Sequence, residues 1–595
     1  MPTPADRKTI VIGIDFGTTF SGVSWAFSGQ PNNIEVITQW CSELNLNSDT
    51  EKTPTTLLYG NLQEKACWGY GIPASSADKC LKWFKLLLID EEDLPTELRK
   101  SSQIATARRL LRQCNRDVVE VISSYLRHLW NHSIDCITRS TGKGLLRLCR
   151  FHVVVTIPAI WPEYSKARMR RAAEDAGILK SRPAGETVLS FVSEPEAAAL
   201  ATMYDLQCRP DIENGDHFVV CDAGGGTVDL ISYEIVSTDP MVVREAVKGD
   251  GRLCGGVFLD EAFAQLLREK LGHNAWDAMT KDEAQRVLHN DWEHGIKRQF
   301  YGQDKDWIVV LPYNCSSVSG SKGLWRKPIL TLDFSDLDPL FYEIAKQIED
   351  LVHEQVQQVQ QKYSQTPRYI FLVGGFGRCA YLHNLLDQCA STDFTEVLQS
   401  HGSKPWSAVC RGAVIRGLAQ LNQCPEFAVK IESRIARVSY GTVFRQPYDP
   451  GIHKSVDKVW DENEMKWKAD NQVKWYLKQG ANVSETTPVS HSYYRLYAKP
   501  PKEIVVALCY STTFPIPLRK DKSVKQLCTV TWTRRIDFET LPKYTNPAGK
   551  IFYHLQWEMA MVCDGVSLDF TITHNKMRMA AKNVSVEFNT HDGRF

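Results

Sequence analysis

Residues 217–235 read HFVVCDAGGGTVDLISYEI: an apolar run, then Asp222-Ala223-Gly224-Gly225-Gly226-Thr227, then a second apolar run from Val228. A continuous apolar stretch of this length suits a strand buried on both faces, and the glycines mark a tight loop at its end. The same design stands near the N-terminus, where TIVIGID (residues 9–15) runs into Asp15-Phe16-Gly17-Thr18-Thr19. Glycines let the backbone approach phosphate oxygens and offer N–H donors with no side chain in the way. The hydroxyls of Thr18, Thr19 and Thr227 can add hydrogen bonds. Asp15 and Asp222, at the ends of central strands, would face a metal held by the same phosphates, through the water shell that magnesium tends to keep. One triple glycine could equally be a turn or a hairpin. Two such loops, each after a buried strand, point to a phosphate-bearing ligand.

Working outward, residues 151–157 (FHVVVTI) read as another buried strand, followed by a helix over 164–177. Residues 369–373 (YIFLV) read as a fourth strand, running into Gly374-Gly375-Phe376-Gly377-Arg378 and a helix, AYLHNLLDQC. Between residues 338 and 362, Leu340, Phe341, Ile344, Ile348, Leu351, Val352, Val356 and Val359 recur at three- and four-residue steps, the stripe of a helix packed on a sheet. Strands alternating with helices make this an α/β architecture. A chain of 595 residues exceeds one core, so two large units are expected, the first split into lobes. After about residue 425 short β-branched and aromatic segments separated by turns take over, among them 434–444, 503–509 and 551–557. The division is therefore residues 1–425, α/β, and 426–595, β-rich, with 447–471 read as an exposed insertion.

Composition narrows the function classes. Basic and acidic side chains number 70 each, which argues against a general nucleic-acid or anionic-membrane partner. No stretch approaches the ~18 apolar residues of a membrane span, and the N-terminus lacks a signal-peptide core. The 17 cysteines include no CxxC pair and no His at zinc-ligand spacing, so they read as small buried hydrophobes in a reducing compartment. The expectation is a cytoplasmic protein, with the nucleus open to it, and sequons such as Asn482-Val483-Ser484 are chance matches.

Four motifs now stand in order: IGIDFGTTFS (12–21), FVSEPEAAAL (191–200), CDAGGGTVDL (221–230) and FLVGGFGR (371–378). They resemble the phosphate-one, connecting, phosphate-two and adenosine motifs of the actin-like ATPase superfamily, and in detail the 70-kilodalton heat-shock chaperones. The resemblance covers about the first 420 residues. As a whole the chain is most similar to the divergent, lidless branch of that family (heat shock 70 kDa protein 12-like, fungal type). The implied fold is a two-lobed actin-like ATPase domain, with ribonuclease H-like sheets and flanking helices, followed by a β-rich domain that would be a reduced substrate-binding domain.

What the resemblance implies can be carried over by position. Asp15 and Asp222 match the aspartates that arrange a hydrated Mg2+; Gly17, Thr18 and Thr19 match the first phosphate loop, and Gly224, Gly225, Gly226 and Thr227 the second. Asp229 matches a carboxylate that positions the attacking water, and Glu194 an acidic residue near metal and water. Lys85, in Trp-Phe-Lys-Leu-Leu, is the candidate for the lysine that contacts phosphate and water; its alternative is a solvated lysine on an amphipathic helix. Gly255 and Gly256 resemble the turn that reaches toward the γ-phosphate. Glu293, Lys297 and Arg298 resemble the helix over the nucleoside, with a Glu-to-Lys spacing of four where the chaperones have three, which leaves open which side chain touches the ribose. Gly374, Gly375, Phe376 and Arg378 match the adenine seat, Phe376 standing where a serine is usual and Trp406 where an aspartate is.

The coupling elements match less well. Pro158 matches a switch proline, but its basic partner is either Lys166 or Arg168, and 421–432 replaces the apolar interdomain linker. VSYGTVF and YLKQGANV resemble the start of the chaperone peptide-binding domain, while the THDGRF end has no acidic tail. The implied ligands are ATP or ADP with Mg2+, and the implied partners are client polypeptides or co-chaperones through the C-terminal domain. Water is a poor nucleophile and no His base stands in these motifs, so a slow, conformationally gated ATPase is expected. The alternatives are an ATP-binding scaffold that does not hydrolyse and a small-molecule kinase of the same superfamily.

Overall fold

The structure, a computed structural model, describes residues 8–42, 49–59, 66–76, 79–94, 96–159, 161–206, 211–315, 328–390, 395–400, 402, 404–421, 429–484, 487–532, 534–563, 568–581 and 587–588. Contacts divide the chain into two units, Met1–Lys430 and Ile431–Phe595. Residues 422–428 of the joining segment and the THDGRF terminus lie outside the described residues.

In the first unit, strand β1 (Thr9–Phe16) is buried along its whole length, as an apolar run with no polar face requires. It pairs antiparallel with β2 (Phe20–Phe27), and β2 with both β3 (Gln30–Val36) and the short β4 (Lys52–Pro54). On its other side β1 runs parallel to β5 (Arg150–Ile157), and β5 parallel to β6 (Val188–Ser193). The second sheet repeats this order strand for strand. There β7 (His217–Ala223) pairs antiparallel with β8 (Val228–Thr238), and β8 with β9 (Met241–Glu245) and the short β10 (Gly251–Arg252). Then β7 runs parallel to β11 (Tyr369–Val373), and β11 to β12 (Glu396–Gln399). The echo between the Asp15 and Asp222 loops is therefore part of a duplicated sheet.

Helices follow the same repeat. The longest helix before the crossover is α1 (Val118–Thr141); α2 (Glu163–Asp175) and α3 (Glu194–Leu206) flank β6. After β10 come α4 (Gly256–Leu271) and α5 (Phe334–Tyr363), and α6 (Ala380–Ala390) and α7 (Lys404–Gln420) flank β12 as α2 and α3 flank β6. The α5 stripe is buried as its periodicity predicts, against α4, α6, β7 and β8. The duplicated helices exchange sheets: α7 lies on β1, β2 and β5, whereas α3 lies on β7 and β8. They cross closely because Gly412 has no side chain; a Cβ there would overlap the Ala197 carbonyl. Arg411 fastens the crossing with two hydrogen bonds to Asp205, at 3.1 and 2.8 Å. Each phosphate loop is thus anchored to a sheet whose covering helix belongs to the other half.

The second unit is β-rich, with two antiparallel sheets around one core. One is ordered β14 (Lys458–Asp461), β15 (Lys466–Leu477), β13 (Ser439–Pro447), β17 (Val505–Ser511), β18 (Lys525–Thr531), Glu587–Phe588. The other is β16 (Val489–Tyr497), β19 (Ile551–Cys563), β20 (Leu568–His574), Met577–Ala581. Alternate residues such as Leu508 and Val530 from the first sheet and Leu555, Met559, Met561 and Ile572 from the second fill the space between them. Residues 447–471, expected as an insertion, belong to the sheet. Trp460 pairs with Trp467 across β14 and β15, and Arg519 donates two hydrogen bonds, at 2.7 and 2.6 Å, to the buried Asp457. Charged side chains such as Lys454, Lys458, Glu462 and Lys466 are exposed, while Asp457, Glu464 and Lys468 are buried in pairs, a pattern that composition does not distinguish from a loop. Among the described residues no helix is long and apolar enough to cross a membrane, and the described cysteines are free thiols.

Candidate functional site

Both glycine loops, both loop aspartates and the third glycine pair line one cleft, with about 1130 Å³ of atom-free space that is partly open to solvent. Asp15 and Asp222 are each the next-to-last residue of their strand, β1 and β7, so each loop begins where its strand leaves the sheet. Among the described residues, the backbone N–H groups of Thr18, Thr19, Gly225 and Gly226 donate to no acceptor in the chain, so a set of unused donors lines the cleft. Such donors suit an anion. Gly374 has φ +88°, the left-handed region that favours glycine, and a Cβ there would lie 2.5 Å from Asp222 Oδ1. The chain must therefore be bare where β11 passes the second loop.

Four buried carboxylates surround the loops: Asp15, Glu194, Asp222 and Asp229. Lys85, on a 3-10 turn over Phe84–Leu88, forms an ion pair and hydrogen bond with Glu194. Its ammonium lies 5.8 Å from the centre of the Phe16 ring and 5.6 Å from that of Trp161. Lys52, on β4, lies 2.5 Å from Asp15 Oδ2. Asp222 and Asp229 face each other in the β7–β8 ladder. Burial, with Lys52 opposing and Asp229 adding, holds the Asp222 carboxyl well above the usual range. Burial and the neighbouring Glu194 push Asp229 up to about 7, against a hydrogen bond from Thr227. Glu194 is also raised, by burial, although Lys85 opposes this. The site carries more buried negative charge than its lysines offset. Among the described residues no three His, Cys, Asp or Glu side chains converge to ligate a metal directly. The excess of buried carboxylate charge favours a cation, and the Asp15 and Asp222 carboxylates suit one held through its water shell, as Mg2+ commonly is.

At the other end of the cleft, Lys297 Nζ lies 2.6 Å from Asp260 Oδ1 and 2.8 Å from Glu293 Oε2. Trp292 Nε1 donates to the same Asp260 oxygen at 2.7 Å and stacks on Phe263, 3.9 Å between centroids. Residues Val287–Ile296 are π-helical, and this accounts for the spacing of four between Glu293 and Lys297. A wider turn accommodates an extra residue while both side chains stay on one face. Burial opposes the charge of Lys297, but Asp260 and Glu293 together raise it; Asp260 is raised by burial with Lys297 opposing; and burial of Glu293 is outweighed by Lys297, Arg298 and His294 together, which lower it. Trp406 closes this end. Its Nε1 lies 3.1 Å from where a Gly375 Cβ would be, its ring meets Phe20 edge-on at 5.7 Å, and the Arg378 guanidinium lies 5.8 Å from it.

Of the residues singled out in sequence, the structure sets Asp15, Gly17, Thr18, Thr19, Glu194, Asp222, Gly224, Gly225, Gly226, Thr227, Gly256, Glu293, Lys297, Arg298, Gly374, Gly375, Phe376 and Arg378 on the cleft wall. Lys85, Asp229 and Gly255 lie behind it: Lys85 is 1% exposed beneath Glu194, and a Cβ on Gly255 would meet the Gly225 carbonyl at 2.5 Å. Lys52 and Asp260 were missed. Asp260 stands four residues after the Gly255-Gly256 turn; Lys52 sits on a three-residue strand that carries no motif. Arg168, of the two basic residues near Pro158, donates to the Leu88 carbonyl and to Asp90 Oδ1, each at 2.8 Å, where the Lys85 turn ends; Lys166 pairs locally with Glu163.

The sequence profile of the family described as Hsp70 protein matches residues 146–424. Heat shock 70 kDa protein 12B of Homo sapiens is 24% identical over 548 residues, covering 78% of this chain and 75% of that protein. Heat shock 70 kDa protein 12A of Mus musculus is 24% identical over 588 residues, covering 84% and 81%. The similarity of this chain is thus to divergent members of the Hsp70 family. The chaperone protein DnaK of Thermoplasma volcanium is 28% identical over 264 residues, covering only 44% of this chain and 39% of that protein. In the β-rich part of this chain, residues 434–585 match a separate profile, described as a domain of unknown function (DUF8568). Similarity to the Hsp70 family supports nucleotide and Mg2+ use, and ATPase character, in general terms.

Proposed function

We propose that this chain binds ATP with Mg2+ in the cleft, hydrolyses it slowly, and uses the nucleotide state to change how its β-rich unit holds a polypeptide partner, in the cytoplasm or the nucleus. One observation carries the reading. Two phosphate loops with unused N–H donors share a cleft with Asp15, Glu194 and Asp222, and Lys85 and Asp229 lie directly behind. Asp15 and Asp222 would hold the hydrated Mg2+, and Thr18, Thr19, Gly225, Gly226 and Thr227 the phosphates. Bound MgATP would supply the transferable phosphoryl group and much of the charge neutralising it.

The chain's own residues divide the remaining work. Asp229, with its pKa pushed up to about 7, can accept a proton from water near neutral pH, which an ordinary aspartate does poorly. Lys85 keeps Glu194 in one orientation and brings a positive charge close to the site without being solvated itself. Phe16 and Trp161 wall off that ammonium. Reaching phosphate would require Lys85 to pass Glu194, so turnover is gated by rearrangement and slow.

Single-turnover hydrolysis of radiolabelled ATP by the full chain tests the reading, with and without denatured polypeptide and small polyols. Phosphate release dependent on Mg2+ is expected. Bound nucleotide that is never cleaved would make the chain a nucleotide-holding scaffold, and a phosphorylated polyol would make it a kinase.

A further inference from the structure

The four buried carboxylates of the cleft face two ammonium groups, and the two lysines are placed differently. Lys85 sits behind Glu194, off the cleft wall. Lys52 lines the cleft. Its Nζ lies 2.5 Å from Asp15 Oδ2, with the two side chains 9% and 5% exposed. The position is built by the strand pairing. Lys52 stands opposite Gly22 in the β2–β4 ladder, and a Cβ on Gly22 would lie 3.0 Å from Lys52 Cγ and 3.5 Å from Cε. The missing side chain lets the lysine stem lie across β2 toward the end of β1. Thr156 Oγ1 reaches the other Asp15 oxygen at 3.5 Å, so the carboxylate is held from both sides. The Lys52 charge also acts on Asp222 and Glu194. One ammonium therefore serves the same acidic residues that would arrange a hydrated metal.

We propose that Lys52 is a resident cation of the phosphate site, which positions Asp15 and offsets its charge toward an entering triphosphate, making nucleotide binding less dependent on divalent metal. The inference rests on the nucleotide reading above and adds to it a positioning residue. An anion approaching the loops must pass Asp15, Asp222 and Glu194. Pairing Asp15 with a fixed ammonium removes one of those repulsions whether or not a metal accompanies the nucleotide. The ammonium is a point charge on a flexible stem with three donors, so it can turn from the carboxylate to a phosphate oxygen without moving the strand.

The test is equilibrium binding of a fluorescent ATP analogue to the full chain, in EDTA and in saturating Mg2+. Wild type should bind in EDTA within about tenfold of its Mg2+ affinity. Lys52→Met should lose at least tenfold in EDTA and clearly less in Mg2+. Lys52→Gln keeps an N–H donor for Asp15 without the charge and should behave like Lys52→Met, and Lys52→Arg should recover most of the loss. Melting curves without nucleotide identify any variant that fails to fold, and Lys52→Gln, the closer match in length, then carries the comparison. An unchanged ratio of EDTA to Mg2+ affinity in the folded charge-removing variant overturns the proposal, as does wild-type binding that vanishes in EDTA; in both cases the nucleotide reading survives. No binding by wild type in either buffer overturns that reading, and this proposal with it.

Discussion

Replacing Asp229 with asparagine removes a charge that the fold holds against its preference. The side chain is 7% exposed, faces Asp222 across the ladder, and has its pKa pushed up to about 7 by burial and by Glu194. In an unfolded chain an aspartate titrates near 3.9, so the native state holds a proton that the unfolded state has lost throughout the interval between the two values. Its contribution to stability is complete below about pH 4 and is lost as the pH rises through about 7. Three pKa units correspond to about 4 kcal/mol at most, and relaxation around the site leaves an expected effect of roughly 1–3 kcal/mol. Asparagine has a similar shape and carries no charge. Thermal unfolding of the nucleotide-free chain in EDTA should therefore show Asp229→Asn slightly more stable than wild type at pH 5, where about a third of the penalty has developed, and more clearly so at pH 8. In a unit of this size the shift would be about 1–2 °C per kcal/mol, extrapolating the usual size scaling. Single-turnover hydrolysis by the same variant should slow by at least ~10²-fold. A variant that is less stable than wild type at pH 8, or whose offset is the same at both pH values, would show that Asp229 is not a strained ionised group and would remove the basis for its proton-accepting role.

Lys85→Met should slow single-turnover hydrolysis by at least ~10²-fold while changing ATP affinity by less than about tenfold; an unchanged rate would mean that this lysine only supports Glu194. Trp406→Ala should weaken ATP and ADP binding alike by about tenfold, the scale of one lost aromatic–base stack. Equal affinities in titration calorimetry would place the base away from the indole. Gly412→Val pushes a side chain into the Ala197 carbonyl, where overpacking costs about 1–3 kcal/mol or more, and denaturant melts should show a correspondingly lower midpoint.

Much of the first unit was legible because its signals are local. A β-branched run long enough to be buried, ended by Asp and glycine, specifies a strand and a bare loop from neighbouring residues alone, and so residues 9–19 and 217–227 could be read without a fold. The helical stripe of 338–362 was legible for the same reason. Residues 447–471 were misread because a hairpin whose outer face is solvated has the composition of a loop until its partner strand is known.

The sequence by itself determined the α/β class, the change to β-rich texture, the two phosphate loops and the acidic residues beside them, since each is written in contiguous residues. Only the tertiary structure decided what those groups meet. The exchange of α3 and α7 between sheets, the burial of Lys85 behind Glu194, the approach of Lys52 to Asp15 and the bracing of Lys297 by Asp260 join residues from 37 to more than a hundred positions apart. The charge of a buried group depends on such neighbours and on its distance from water, and neither is encoded at its own position. That is why the loops could be read from residue order, whereas the balance of charge between them required the fold.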